Sequence, residues 1–153
     1  MAGAITVEQV RGFVAEQTLG VVATLRPGGR PHATLVAIAV TDRFELVFDC
    51  LGGSTKAANV RRDPRVAVAI GGTVADERTV QCEGLADIPE GAEHERVRDV
   101  YLTRFPDARE RLEWDGITHV RITPQWLKWW DFTVTPPVIV EWTRDDDGEL
   151  REG

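Results

Sequence analysis

Residues 19–50 read LGVVATLRPGGRPHATLVAIAVTDRFELVFDC, and this stretch decides the fold. Apolar and β-branched residues fill 19–25, 32–40 and 44–50, and short turns separate these three runs. Such runs between turn residues predict three β-strands. Because short turns can join only antiparallel neighbours, the strands form a meander. The stretch therefore predicts an antiparallel sheet and excludes a doubly wound parallel one.

Helical patterns lie on both sides of this meander. Residues 6–9, TVEQ, have the form of a capping box ahead of an amphipathic pattern over 7–17. Ser54 is a good N-cap for a second predicted helix over 54–62. A third helix is predicted over 89–105, where apolar residues recur at helical spacing and the charges change from acidic to basic. The sequence thus predicts about three short helices.

Strand patterns fill most of the second half of the chain. They lie at 65–70, 79–88, 119–122, 129–133 and 138–142, and a brief helix is predicted at 124–128. A closed or nearly closed barrel best protects the edges of an antiparallel sheet. The predicted fold is therefore mainly β, an antiparallel barrel of six to seven strands with helices at its edges. One domain is expected over 1–144, followed by a flexible acidic tail over 145–153.

Composition narrows the class of protein. The chain has 153 residues, a mass of 17.0 kDa, a net charge of −7 and a pI of about 5.0. An acidic chain of this kind is not expected to bind nucleic acid or anionic lipid. It has no apolar run long enough to span a bilayer and no signal-peptide pattern, so we expect a cytoplasmic protein without a membrane partner.

Cysteine and histidine residues give no metal or catalytic signature. Cys50 and Cys82 lack the close spacing of zinc or redox motifs, and buried free thiols are expected. His32, His94 and His119 are too dispersed to predict a metal site. The chain also lacks the Gly-x-Ser-x-Gly nucleophile elbow of many hydrolases. No metal is predicted, and no catalytic residue is assigned.

The strongest chemical signal lies where a predicted strand meets a predicted helix, at residues 49–56, DCLGGSTK. Glycines there let the backbone turn closely, and Ser54 and Thr55 lie at a helix N-terminus beside Lys56. These are the components of a phosphate site. The order differs from a Walker A loop, which ends Gly-Lys-Ser/Thr. Two interpretations remain, an ordinary serine cap with a solvated lysine or a site that binds phosphate.

Short segments around this junction extend the signal. They are Gly29-Arg30-Pro31, Leu46-Val47-Phe48, Ser54-Thr55-Lys56-Ala57, Arg62-Asp63-Pro64-Arg65-Val66, Thr79-Val80-Gln81 and Glu83-Gly84-Leu85-Ala86. In this order and spacing, the chain resembles the pyridoxamine 5′-phosphate oxidase-like flavoproteins over residues 19–86. A weaker similarity continues at 121–124 and 131–132.

The resemblance implies a split β-barrel that forms a homodimer and holds flavin mononucleotide (FMN) in a cleft between the subunits. It also implies an oxidoreductase that acts on a small molecule. The residues that match the family's cofactor site are Ser54, Thr55 and Lys56 for the phosphate, Asp49 and Cys50 at the strand end, Thr34, Leu35 and Val36 beside the ring, and Thr79 or Gln81 at the ring edge. Strand alternation independently places Thr79 and Gln81 on one face, for which a solvated surface is the other interpretation.

Four of the five tryptophans lie between Trp126 and Trp142. Such a cluster forms core or subunit contacts, or an aromatic wall against a flavin or an apolar substrate. Trp129 and Trp130 are the candidates for such a wall, and Trp130 is assigned to the cofactor site.

One departure from the family bears on the substrate. Members that oxidise pyridoxamine phosphate carry Arg-x-Val-Leu-Leu-Lys where this chain has TLVAIA at residues 34–39, without either charge. Vitamin B6 phosphate is therefore not the expected substrate, and the substrate stays unassigned. Two alternatives to an FMN-dependent oxidoreductase remain. One is a deazaflavin-dependent reductase on the same fold, and the other is a non-catalytic module that binds flavin or haem.

Overall fold

The computed structural model describes residues 5–153, and over this range a nine-stranded antiparallel sheet forms the body of the protein. The strands are β1 (Leu19–Arg26), β2 (Arg30–Ala37), β3 (Ala39–Val40), β4 (Leu46–Leu51), β5 (Arg65–Gly71), β6 (Arg78–Asp87), β7 (Ile117–Asp131), β8 (Val138–Arg144) and β9 (Leu150–Glu152). The first four residues of the predicted domain lie outside the described range.

Helices lie against this sheet, and three of them are at predicted positions: α1 (Val7–Glu16), α2 (Thr55–Arg62) and α3 (Gly91–Arg104). A 3-10 helix (Pro106–Glu113) follows α3. The capping box is present at α1, where Thr6 and Gln9 each bind the other's backbone. Within residues 5–153 no helix is both long and apolar enough to cross a membrane.

The sheet rolls into a barrel because its two edges belong to one segment of chain. The strand order is β2-β1-β5-β6-β7-β4-β3, and only Ile38 separates β2 from β3. One bent segment therefore pairs with β1 through β2 and with β4 through β3. Among the described strands β2 and β4 share no ladder, so the barrel is split along this seam. The predicted mainly β, antiparallel split barrel with peripheral helices is confirmed.

The core lies inside the barrel, and a helix closes each end. A row of paired, buried residues crosses the interior and comprises Val22, Val68, Cys82, Leu127 and Trp142. At one end α1 inserts Phe13, whose ring packs edge-on against Trp129 with 4.9 Å between centroids. At the other end α2 inserts Asn59, whose Nδ2 donates to Thr24 Oγ1 at 2.9 Å. We call these the α1 end and the α2 end.

The prediction for residues 119–133 is wrong in one respect. Instead of two strands flanking a short helix, β7 is a single strand of 15 residues. Pro124 is tolerated inside it because the β6–β7 register shifts between Glu83 and Gly84, directly opposite. A Cβ on Gly84 would lie 2.7 Å from the Thr123 carbonyl oxygen, so the bulge requires glycine. The proline marks a bulge in a strand, not the start of a helix.

The prediction of a flexible acidic tail at 145–153 is also wrong. β9 pairs with β8 in this segment. Asp145 holds the connecting turn, because its Oδ1 accepts the backbone N–H groups of Asp147 and Glu149, each at 2.9 Å. The cluster of acidic residues forms a hairpin because an aspartate that accepts backbone N–H groups stabilises a tight turn.

Candidate functional site

The loop between β4 and α2 presents unpaired backbone donors. Ser54 is the N-cap of α2, and its Oγ accepts the backbone N–H of Ala57 at 3.3 Å. The first N–H groups of a helix have no partner within the helix. No acceptor in the described chain takes the backbone N–H of Thr55 or Lys56. Two free donors, two hydroxyls and one ammonium thus meet at the positive end of a helix dipole.

This loop is held in place from both sides. The backbone N–H of Gly52 donates to the Gly116 carbonyl at 2.6 Å, and Arg61 Nη1 donates to the Gly52 carbonyl at 2.6 Å. At the other end of α2, Arg62 Nη2 donates to the Leu25 carbonyl at 2.5 Å. The loop is therefore fixed by the protein itself, as a preorganised anion site requires.

Asp49 and Cys50 point to opposite faces of β4. Cys50 lies in the main core, and burial raises the pKa of its thiol, although the neighbouring Ser54 hydroxyl and Lys56 ammonium act to lower it. The Asp49 carboxylate accepts Tyr101 Oη at 3.1 Å and Arg111 Nε at 2.7 Å. Of the two predicted strand-end residues, only Cys50 lies beneath the loop, and Asp49 instead ties β4 to α3 and the 3-10 helix.

A buried polar cluster lies behind Asp49 and was not predicted. His119 is its cross-strand partner on β7, and 2% of the His119 surface is exposed. Its ring lies edge-on to Tyr101, with centroids 5.6 Å apart, and 5.5 Å from the ring of His94. Burial lowers the pKa of His119 to about 4. Residues so far apart in sequence give no local signal, because only the strand register brings them together.

Strand alternation also divides the predicted residues of β2. Val36 points into the barrel and is 8% exposed, whereas Leu35 points outward and is 62% exposed. Thr34 is half-buried and lies on the same side of the strand as Val36. Thr34 and Val36 therefore lie on the inner side of β2, and Leu35 belongs to another surface.

That other surface is the outer face, formed by the outward side chains of β1, β2 and β5–β8. One cross-strand row runs through Leu35, Val21, Ala69, Gln81, Lys128 and Glu141. The next row contains Gly71, Thr79, Trp130 and Ile139. The β1–β2 side is apolar and exposed, since Leu19, Val21 and Leu35 are 40% to 62% exposed. Three predicted residues, Thr79, Gln81 and Trp130, therefore share the outer face.

The outer face also contains a polar cluster that the sequence did not indicate. Lys128 Nζ lies 3.3 Å from Glu141 Oε1 and 5.3 Å from the centroid of the Trp130 ring. The other Glu141 oxygen accepts Trp126 Nε1 at 3.3 Å. Period-two alternation over 126–130 was the available signal, and the incorrect helix at 124–128 concealed it.

Two groups of the predicted site residues lie toward opposite ends of the barrel. Ser54, Thr55 and Lys56 lie at the α2 end, where β5 begins at Arg65. Thr79 pairs with Gly71, where β5 ends beside α1. Six residue steps along β5 span about 20 Å. Within one chain, the loop group therefore lies toward the start of β5 and Thr79 lies at its end.

Two of the cavities that lie outside these groups are large enough to hold a small molecule. A polar one of about 510 Å³ is bounded by α1, the β3–β4 turn and the β8–β9 hairpin, and its charges include Arg11 and Glu8, which pair with each other. An apolar one of about 420 Å³ opens on the outer face at the α2 end, between Leu25, Leu85 and Trp126. The second has the size and lining of a small-molecule pocket.

Comparison with known proteins identifies the fold and the family. The sequence model of the pyridoxamine 5′-phosphate oxidase family matches residues 6–129. A conserved hypothetical protein from Mycobacterium tuberculosis is 30% identical, with a TM-score of 0.70 over 84% of this chain and 86% of that one. No curated protein sequence matches significantly. The architecture is that of the split barrels, and the chain belongs to the pyridoxamine 5′-phosphate oxidase family.

Two further solved structures have the same fold. A pyridoxamine 5′-phosphate oxidase-related, FMN-binding protein from Nostoc punctiforme is 14% identical, with a TM-score of 0.74 over 100% of this chain and 98% of that one. A haem-binding protein from Mycobacterium smegmatis is 23% identical, with a TM-score of 0.74 over 84% of this chain, which spans 55% of that protein. Similar structures thus include proteins described as binding either ligand.

Proposed function

We propose that the protein is an FMN-dependent oxidoreductase that works as a homodimer. The observation that carries the proposal is the loop before α2, with its free N–H groups and Lys56. FMN would supply the redox chemistry, and this chain would bind and orient it.

The residues of the loop fit a phosphate group. Lys56 would neutralise part of the dianion, while the N–H groups of Thr55 and Lys56 and the side-chain hydroxyls donate hydrogen bonds. Ser54 also fixes the helix start, because it accepts the N–H of Ala57. Since Arg61 and Gly116 already hold the loop, little ordering would be needed on binding.

The separation of the two groups of residues supports a homodimer, because a second copy could complete each site. An apolar, exposed surface spanning β1 and β2 is typical of a subunit contact. A second copy packed on it would bring its own Thr79, Gln81 and Trp130 toward the ring whose phosphate the first copy holds. Each of the two symmetric sites would then use the α2 loop of one subunit and the outer face of the other.

The substrate is proposed to be a small molecule without a phosphate of its own. The chain has no Lys or Arg between His32 and Val40, and the outer-face cavity near Trp126 is lined mainly by apolar atoms. A deazaflavin used as a dissociable cosubstrate would fit the same loop, because it also carries a phosphate. The absorption spectrum and the retention of the cofactor during purification distinguish these two cases.

Haem binding is the second candidate, favoured by the similarity to the haem-binding protein from Mycobacterium smegmatis. His32 is the one histidine on β2, and its buried Nδ1 has no partner among the described residues. Haem addition would give an intense Soret band that His32→Ala abolishes if this candidate is correct.

The test of FMN binding is a titration of the purified protein followed by absorbance and fluorescence. Lys56→Ala should weaken FMN binding by about 10- to 100-fold, the loss expected for one charge-assisted contact, without changing the melting temperature. Arg109→Ala removes an exposed cation from the 3-10 helix and is the matched control. Wild-type protein that binds no FMN, or Lys56→Ala protein with unchanged affinity, would refute the phosphate assignment.

A further inference from the structure

We propose that Gln81 and Lys128 on the outer face bind the imide edge of the flavin-type ring, and that Lys128 favours the reduced, anionic ring over the oxidised one. The inference rests on the proposed function and adds Lys128 to its site. It applies equally to FMN and to a deazaflavin, because both rings carry the same imide edge.

The register places the two side chains next to each other. Gln81 of β6 and Lys128 of β7 are directly opposed, and their Cβ atoms lie about 5 Å apart on the same face. Thr79 and Trp130 form the adjacent pair on that face. A planar ligand could therefore lie beside an indole ring while its edge meets an amide and an ammonium group.

The donors and acceptors of this pair match an imide. The imide edge of a flavin presents a carbonyl, an N–H and a second carbonyl. The Gln81 amide offers one acceptor and an NH₂ donor, and the Lys128 ammonium supplies further donors. A primary amide can therefore pair with the N–H and one carbonyl while the ammonium donates to the other carbonyl.

Lys128 is held in position but retains free hydrogen-bonding capacity. Its ammonium contacts one oxygen of Glu141 at 3.3 Å, and the second oxygen is occupied by Trp126 Nε1. Of the three N–H groups of an ammonium, one suffices for that ion pair. The side chains of Lys128 and Glu141 are 24% and 44% exposed, so the lysine is accessible from the outer face.

The charge of Lys128 gives the pair a second role. A bound flavin would supply two-electron redox chemistry, and its reduced form with one added proton would carry one more negative charge than the oxidised form, at N1 and the adjacent carbonyl. A cation at that edge stabilises the reduced form more than the neutral oxidised form. The run from His32 to Val40 contains no Lys or Arg that could do the same. Lys128 is therefore assigned as the residue that sets the preference between the two states.

The test compares the affinity for oxidised FMN with that for FMN reduced by dithionite, under anaerobic conditions. Lys128→Met should weaken binding of reduced FMN about tenfold more than binding of oxidised FMN, which lowers the potential by about 30 mV for this two-electron couple. Lys128→Arg, which keeps the charge, should retain most of the wild-type ratio. An unchanged ratio in Lys128→Met protein, with FMN still bound, overturns the inference and leaves the proposed function intact.

Glu141→Gln should change the preference between reduced and oxidised FMN in the direction opposite to Lys128→Met. Removing the counter-charge should increase the preference for reduced FMN, and an unchanged or decreased preference contradicts the assignment. This variant keeps the test decisive if Lys128→Met folds poorly. Wild-type protein that binds neither form of FMN refutes the proposed function itself, and the inference with it.

Discussion

The α2 loop and the outer face differ in how the chain assembles them. The loop takes its chemistry from three consecutive residues, Ser54 to Lys56, and nearby backbone atoms hold it. The cluster on the outer face combines Gln81, Lys128 and Glu141 from three strands, and only the register aligns them. The first can be recognised as a motif, whereas the second exists only in the folded sheet. Changes to register should therefore damage the outer face and leave the chemistry of the loop intact.

Gly84→Ala should have the largest effect on stability, because it disturbs the register between β6 and β7. The new Cβ would lie 2.7 Å from the Thr123 carbonyl oxygen, and the backbone of β7 would have to move. A loss of about 2 to 3 kcal/mol in the free energy of unfolding is expected, measured by urea denaturation. Gly53→Ala in the α2 loop is the control, since a Cβ there meets no atom within 4 Å. Equal stability of the two variants would contradict the role given to the bulge.

Leu35→Asp should separate the subunits without unfolding them. Leu35 is 62% exposed at the centre of the apolar part of the outer face, and a symmetric dimer would bury it twice. Losing about 1.5 to 3 kcal/mol of apolar burial per copy would shift a micromolar dimer toward monomer in light scattering. Leu112→Asp on the 3-10 helix, where the leucine is 38% exposed, is the control. A wild-type monomer, or a Leu35→Asp dimer as tight as wild type, would disprove this interface.

Mixing variant subunits tests whether the two groups cooperate across the dimer. Lys56→Ala and Lys128→Met each impair every site in their own dimers. If a site uses one group from each subunit, random exchange of equal amounts restores wild-type affinity at about a quarter of the sites. The measurement is a titration with reduced FMN before and after exchange. No restored sites after proven exchange would place both groups of a site in a single chain.

The pH dependence of stability should report on His119 behind β4. Its folded pKa of about 4 lies below the unfolded value of about 6.5, so the unfolded chain binds more protons between these values. Stability should be full above pH 6.5 and fall as the pH decreases toward 4. His119→Gln should flatten this part of the profile in thermal melts at a series of pH values. A profile of unchanged slope would show that another group titrates there.

The sequence predicted the elements that depend on residues close together in the chain. The β1–β2 hairpin, α1 with its capping box, and the Ser54 cap of α2 all follow from local patterns, and each is present. The strand predicted over 32–40 instead breaks at Ile38 into β2 and β3. Pro124 misled the prediction because its tolerance depends on Gly84, a residue 40 positions away. The resemblance to the family assigned Asp49 to the cofactor site, and it gave no indication that Tyr101 and Arg111 bind its carboxylate. Contacts between residues so far apart in sequence produce no periodic pattern from which they could be predicted.

The single residue between β2 and β3 has a consequence for synthesis on the ribosome. Ile38 links β2 to β3, so the strands from β1 to β6 are connected before β7 is synthesised. In the complete sheet β7 lies between β4 and β6, and until it is made neither strand has its partner on that side. β7 pairs with both, and its last residue is Asp131. At about 5 to 20 residues per second, the 44 residues from Asp87 to Asp131 take a few seconds to emerge. During that interval one edge of β4 and one edge of β6 lack their partner, and exposed strand edges of this kind can pair with another chain.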